Sequence, residues 1–279
     1  MNKLFLSIDF EDFSHDLGRD LGLWITRPLR IKALTDAYAA IEAFLQSHNA
    51  ARVTFFCTGI IAEQAPELIA RIASDGHEIA CHYHFHDCVD SHTPAQFEAN
   101  LATALKALRA ASGQPVTGFR APKFRIPQDR PEYYNVLARH VAYDSSFLCR
   151  TKAQATAFAA SLDAPLSILP IYSSRLRLGG SYTKLFPRFV TAKMIANART
   201  GGLTPHIYLH PYEFVAEGSF VLSQQELAPL GFAKAAYWHA RQAQWHRVGN
   251  RGLAAKLSHF GNSHGFGGRL QDGLQALTA

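Results

Sequence analysis

Seven short apolar runs alternate with helical patterns along this chain, and that alternation restricts it to parallel β/α units. The strand-like runs cover residues 4–8, 51–58, 76–81, 116–122, 141–146, 166–171 and 205–210. Between the first two, Ile31, Leu34, Tyr38, Ile41 and Leu45 recur at helical spacing, the stripe of an amphipathic helix over 30–48. Residues 65–72 read as another helix, with Pro66 in its first turn and Asp75-Gly76 as its stop. Thr93-Pro94 opens a long helix striped by Phe97, Leu101, Leu105 and Leu108 and closed by Gly113. A further helix surrounds residues 190–198. With 279 residues and 48% hydrophobic content, the chain can bury the core such an arrangement needs.

Polar residues recur where these strands end: Asp9, His82, Arg120, Asp144 and His210. In a parallel barrel the C-terminal strand ends gather on one face, where catalysis is built. Two of the strand ends are unusually rich in metal-binding side chains. His82, His84 and His86 stand at alternate positions; two converging imidazoles can hold one ion, and spacing alone does not say which two. Asp9, Glu11 and Asp12 crowd three carboxylates together, which favours a cation among them or a shifted pKa.

Other features set bounds. No window has the run of about 18 apolar residues of a membrane span, and the first residues lead directly into a strand without a signal-peptide pattern. Cys57, Cys81, Cys88 and Cys149 lack paired CxxC spacing and suit a reducing compartment. These readings place the protein in the cytoplasm, with peripheral association at the inner membrane face as a variant. The net charge of +6 is uneven: residues 1–150 carry 15 Lys+Arg against 17 Asp+Glu, and residues 151–279 carry 13 against 5. A basic C-terminal half suits an anionic carrier or a membrane surface; no nucleic-acid motif accompanies it, and no nucleic-acid partner is expected. Near residue 233 the character changes to a helical, basic stretch with Tyr237, Trp238 and Trp245, followed by a Gly-rich loop over 261–268. The expected division is a barrel over 1–232 and an extension packed on it over 233–279.

Several stretches, in order, resemble the polysaccharide deacetylase family, the carbohydrate esterase family 4 or NodB-homology group. They are Ser7-Ile8-Asp9-Phe10-Glu11-Asp12-Phe13, Val53-Thr54-Phe55-Phe56, Gly76-His77-Glu78-Ile79 with His82 and His86, Phe119-Arg120-Ala121-Pro122, Tyr143-Asp144-Ser145-Ser146, and Leu209-His210-Pro211-Tyr212-Glu213. The match is to the branch with an Asp-x-Glu-Asp first motif and an extra C-terminal region. The resemblance implies an α/β fold: a distorted, incomplete (β/α) barrel of about seven parallel strands with a C-terminal helical extension. It also implies a divalent metal, zinc first and cobalt or another ion as substitutes. Carried over, His82 and His86 become metal ligands and His84 is left out. Asp9 becomes the base that deprotonates the attacking water, and Arg120 pairs with Asp9. His210 becomes the acid that protonates the leaving amine, with Asp144 as its partner. The carboxylate ligand lies between Glu11 and Asp12. Strand alternation puts Glu11 on the face of Asp9, whereas a turn at the strand end brings Asp12 inward; Asp12 is the expected ligand.

The expected reaction is hydrolysis of an acetamido-sugar amide, in a cell-surface polysaccharide or its nucleotide- or lipid-linked precursor. An amide is a poor electrophile with a poor leaving group, so a polarising cation, a base and a separate acid are all needed. The alternatives are an allantoinase-like hydrolase of a small non-sugar amide and an inactive glycan-binding relative. Lys123 is a further cation able to meet a substrate phosphate.

Overall fold

The computed structural model describes residues 3–215 and 218–278. Seven strands form one all-parallel sheet: β1 (Phe5–Phe10), β2 (Thr54–Cys57), β3 (Glu78–Cys81), β4 (Gly118–Phe119), β5 (Tyr143–Asp144), β7 (Ser167–Ile168) and β9 (His206–Leu209). Their order, β7-β5-β4-β3-β2-β1-β9, runs outward from β1 on one side and places the last strand on its other side. The sheet curls into a half-barrel whose outer face is covered by helices. β6 (Leu148–Cys149) and β8 (Ile171–Tyr172) make a separate two-stranded parallel sheet. Each expected strand is present; β1 runs two residues beyond its expected end, to Phe10, and the others are shorter than expected.

The helices are α1 (Phe13–Asp20), α2 (Ile31–Gln46), α3 (Gly59–Gln64), α4 (Pro66–Ser74), α5 (Pro94–Ser112), α6 (Pro131–His140), α7 (Lys152–Ala160), α8 (Gly180–Leu185) and α9 (Arg188–Thr200). After them come α10 (Gln224–Leu227), α11 (Phe232–Arg247), α12 (Asn250–His264) and α13 (Leu270–Thr278). α5 begins in the expected way: Thr93 accepts from the backbone of Gln96 and the Gln96 side chain returns the bond. α12 continues to His264, so the expected glycine-rich loop shrinks to the residues between α12 and α13.

Alternation along the strands sorts the chain into two cores. Leu6, Ile8, Phe10, Phe55, Cys57, Ile79 and Cys81 face the helices and join the large outer core. The opposite side of the same strands lines the half-barrel. There Phe5, Phe56, Ala80, Tyr143 and Leu169 fill the base, closed from below by Leu270 of α13. Gly118 lets the Tyr143 ring cross this interior, because a Cβ there would sit 2.2 Å from the ring. The buried Glu78 side chain accepts from Tyr143 Oη at 2.8 Å, from Thr54 Oγ1 at 2.6 Å and from the Gln271 backbone at 3.1 Å. The C-terminal chain also bonds to Leu4 through Gly265 and Gly267. The base of the half-barrel is thus filled by apolar side chains around one hydrogen-bonded carboxylate, Glu78, and the His82–His86 and Asp9–Glu11 groups lie at its upper end.

Candidate active site

On the inner face of β1, residues Ser7, Asp9 and Glu11 follow one another upward from the base. Arg120 enters from the end of β4 and is fully buried. Its Nη1 donates to Asp9 Oδ1 at 2.5 Å and to Ser7 Oγ at 2.9 Å, while Nε and Nη2 donate to Ser145. The guanidinium lies 4.0 Å from the Phe56 ring centroid. His206, at the start of β9, is held neutral by burial and by the Arg120 charge, with its Nε2 2.7 Å from Ser7 Oγ. These contacts fix the Asp9 carboxylate, with its charge compensated, at the floor of a cavity.

Above Asp9, Glu11 meets two imidazoles. Glu11 Oε2 lies 2.7 Å from His86 Nε2 and 3.3 Å from His82 Nε2. His82 Nδ1 donates to the Arg120 carbonyl at 2.8 Å, which fixes the tautomer and turns the Nε2 lone pair inward. His86 reaches the same point by adopting a left-handed backbone (φ +61°), a strained conformation for a non-glycine residue. Its Nδ1 lies 3.7 Å from Asp16 Oδ2 on α1. Burial and the nearby Glu11 push the Asp16 carboxyl well above its usual range.

These residues fit a divalent ion. Their three inward atoms lie within 4.8 Å of one another, and all three side chains are buried. Glu11 Oε2 makes no hydrogen bond despite its burial. Burial opposes a charge on Glu11, yet a proton on His86, hydrogen bonds from the two imidazoles and the charge of His210 hold its carboxyl well below the ordinary carboxylate range. Burial lowers the His86 pKa and favours its neutral, ligating form. One carboxylate with two imidazoles is a donor set of hydrolytic metal sites.

The structure departs from expectation at Asp12. β1 runs on through Phe10, so alternation persists and Glu11 takes the inward position. Asp12 turns away to cap α1: its Oδ1 accepts from the Ser14 and His15 backbones and its Oδ2 from the Arg30 backbone at 2.7 Å. His84 also stands apart from the cluster, 3.8 Å from Glu63.

His210, just beyond β9, faces Glu11 and Asp9 across the cavity. Its Nδ1 lies 3.3 Å from Glu213 Oε2, which also accepts from the His210 backbone at 2.9 Å. The ring stacks on Tyr212 at an interplanar angle of 12°. Burial disfavours its proton, but Glu213, Glu11 and Asp9 together raise its pKa to about 9. Asp144, the expected partner of His210, is occupied elsewhere. Its carboxylate accepts from the Ser146 backbone at 3.0 Å and from Ser146 Oγ at 2.5 Å, and burial raises its pKa to about 6. Ser146 Oγ in turn accepts from the Ala121 backbone, so Asp144 braces the segment after Arg120. Glu213 is the partner that sequence reading missed, although the His-Pro-Tyr-Glu turn placed it within reach.

Asp9, Glu11, His82, His86 and His210 line one cavity of about 390 Å³. Trp238 and Trp245 of α11 form an opposing wall with Phe13, and Tyr208 and Phe124 another side. Lys123 lies at the cavity and pairs with Asp20. No local pattern in the sequence joined α11 to this site. Apolar walls around a few convergent polar groups are the usual composition of a small-ligand pocket.

Comparison with known proteins places this site in context. Residues 27–142 match the polysaccharide deacetylase family model. That stretch contains His82, His86 and Arg120, while Asp9, Glu11 and His210 lie outside it. A chitooligosaccharide deacetylase from Bradyrhizobium sp. is 37% identical over 70 residues, covering 25% of this chain and 32% of that protein. The chain therefore spans about a third of this curated relative. A Mycobacterium smegmatis protein named for the same family superposes with a TM-score of 0.64 at 17% identity, covering 99% of this chain and 91% of that one. A CE4 family pseudoenzyme from Bacillus anthracis gives a TM-score of 0.50 at 12% identity, over 100% of this chain and 66% of that one. Among the described residues no helix is long and apolar enough to cross a membrane.

Proposed function

We propose, from the match of residues 27–142 to the polysaccharide deacetylase family model, that the protein is a metal-dependent N-deacetylase of acetamido sugars. The observation that carries this reading is the convergence of three groups on one cavity: the Glu11–His82–His86 cluster, the Asp9–Arg120 pair and His210. A divalent ion held by Glu11, His82 and His86, zinc first among the candidates, would polarise the amide carbonyl and acidify a water.

The remaining work falls to the chain itself. Asp9, oriented by Arg120 and Ser7, accepts the proton of the attacking water. His210 carries a proton at neutral pH, held by Glu213 on Nδ1, and presents Nε2–H to the departing amine. Base and acid sit on neighbouring strands, β1 and β9, so both reach one bound amide. The walls of Trp238, Trp245 and Tyr208 offer flat apolar faces to a sugar ring. The substrate is an acetamido sugar of a cell-surface glycan or of its nucleotide- or lipid-linked precursor.

An inactive glycan-binding role would leave the base, the acid and the ligand cluster without a task, and all of them line the same cavity. The test is acetate release from free, nucleotide-linked and lipid-linked acetamido sugars by the metal-loaded protein. Release from one class, abolished by Asp9→Asn, supports the reading. Metal-loaded protein that releases acetate from none of them refutes it.

A further inference from the structure

We propose that the corner between α8 and α9, together with the start of α12, docks this protein on an anionic lipid bilayer. The corner exposes a contiguous apolar segment. Leu185, Phe186 and Phe189 are 42%, 36% and 72% exposed, with Pro187 and Arg188 between them. Val248, from a different part of the chain, is 50% exposed. It belongs to the same surface, because neighbouring Gly249 packs on the Lys184 carbonyl so closely that a Cβ would sit 2.7 Å from it. Lys256 Nζ donates to the carbonyls of Thr183 and Phe186, both at 2.6 Å, and clamps the corner to α12. The patch is therefore held in place by buried contacts beneath it.

The two stretches of chain that carry this patch hold charge of one sign. The chain has no Asp or Glu between Asp163 and Glu213, and none between Glu226 and Asp272. Those two stretches contain the corner and α12. Arg188, Lys193 and Arg251 are exposed and form no ion pair among the described residues. Ordinary solvated surfaces intersperse both signs. Exclusion of acids from both segments, combined with protruding phenylalanines, matches a bilayer interface: aromatic and aliphatic side chains enter at headgroup level while cations meet lipid phosphates. A second copy of the chain fits less well, since a two-fold contact would set unpaired arginines near one another. A nucleic acid would meet the cations but leave Leu185 and Val248 without a partner.

The corner also adjoins the cavity. Lys184 Nζ donates to the Trp245 carbonyl, and Trp245 forms part of the cavity wall. Gly180 packs against the ring of Tyr208, another wall residue. Docking at this corner would hold the cavity beside the bilayer. Only the consequence for a lipid-linked substrate rests on the deacetylase reading; the docking itself does not.

The experiment is co-sedimentation of the full chain with phosphatidylcholine vesicles, with and without phosphatidylglycerol. The expected result is sedimentation with the anionic vesicles and release by high salt. Phe186→Ser/Phe189→Ser is expected to lower partitioning by roughly tenfold or more, and Arg188→Glu/Arg251→Glu to abolish the preference for anionic lipid. Thermal unfolding of each variant confirms the fold. Acetate release from a water-soluble acetamido sugar, measured separately, stays at the parent level, so failure of docking and failure of the enzymatic reading are distinguishable. Absence of sedimentation, equal sedimentation with neutral vesicles, or full binding by the phenylalanine variant overturns the proposal. A dimer lost in that variant without any vesicle binding, or binding to duplex DNA in place of vesicles, overturns it as well.

Discussion

Arg120 Nη1 donates to Asp9 Oδ1 at 2.5 Å across 111 residues of sequence, at a point where Asp9 is only 2% exposed. Desolvating both ions is costly, and the bonds from Arg120 to Ser7 and Ser145 help offset that cost. Arg120→Ala leaves a buried carboxylate unpaired. It is expected to destabilise the protein by about 3–5 kcal/mol, read as a lower urea midpoint. Asp9→Asn keeps the fold and loses the proton acceptor, with kcat falling about 10²–10⁴-fold.

Glu11 and Asp12 are adjacent but make separate contacts, Glu11 with His86 and Asp12 with the α1 and Arg30 backbones, and substitution tests the roles proposed for them. Glu11→Gln is expected to bind less than one equivalent of zinc by elemental analysis after dialysis. Asp12→Ala retains the metal and loses the α1 cap, at about 0.5–2 kcal/mol by chemical denaturation. Metal lost from the Asp12 variant and kept by the Glu11 variant would reverse the assignment.

Asp16 lines the cavity beside His86, with its Oδ2 3.7 Å from His86 Nδ1. Asp16→Ala is expected to weaken metal affinity about 10–100-fold, with little change in the unfolding midpoint measured in excess metal. Competition with a fluorescent chelator reads the affinity. Unchanged affinity would show that Asp16 does not support His86.

The pH dependence follows from His210. Its pKa rises from an ordinary 6.5 to about 9, so the proton donor is loaded at neutral pH and the alkaline limb of kcat/KM is expected near 9. A raised histidine pKa favours the folded state while that proton is bound. The contribution is therefore full below about pH 6.5 and is lost as pH rises through about 9. Glu213→Gln moves the limb toward lower pH and removes this stabilisation. A limb that stays in place in that variant contradicts the role given to Glu213.

Much of this site was legible because parallel strands gather their C-terminal ends. Asp9, His82, Arg120 and His210 could be picked out as polar residues ending apolar runs, and all four meet in the structure. The choice between Glu11 and Asp12 depended on whether β1 stopped at Asp9 or continued to Phe10. One residue of strand decides which carboxylate faces inward. α1 is only eight residues long and its apolar stripe is just Phe13 and Leu17, so the capping duty of Asp12 and the place of Asp16 were hidden. Asp144 ends its strand as expected, but the hydroxyl and amide of Ser146 claim its carboxylate. Trp238 and Trp245 reach the cavity because α11 packs back over the half-barrel, a tertiary arrangement without a local signature.

The most direct test of the central claim is acetate release from a responsive acetamido sugar by one preparation, first metal-loaded, then stripped with chelator, then reloaded with zinc. The expected result is turnover that disappears on stripping and returns on reloading, with neither loss nor return in Glu11→Gln/His82→Ala. Undiminished turnover by the metal-free protein, or by that variant, would contradict the account.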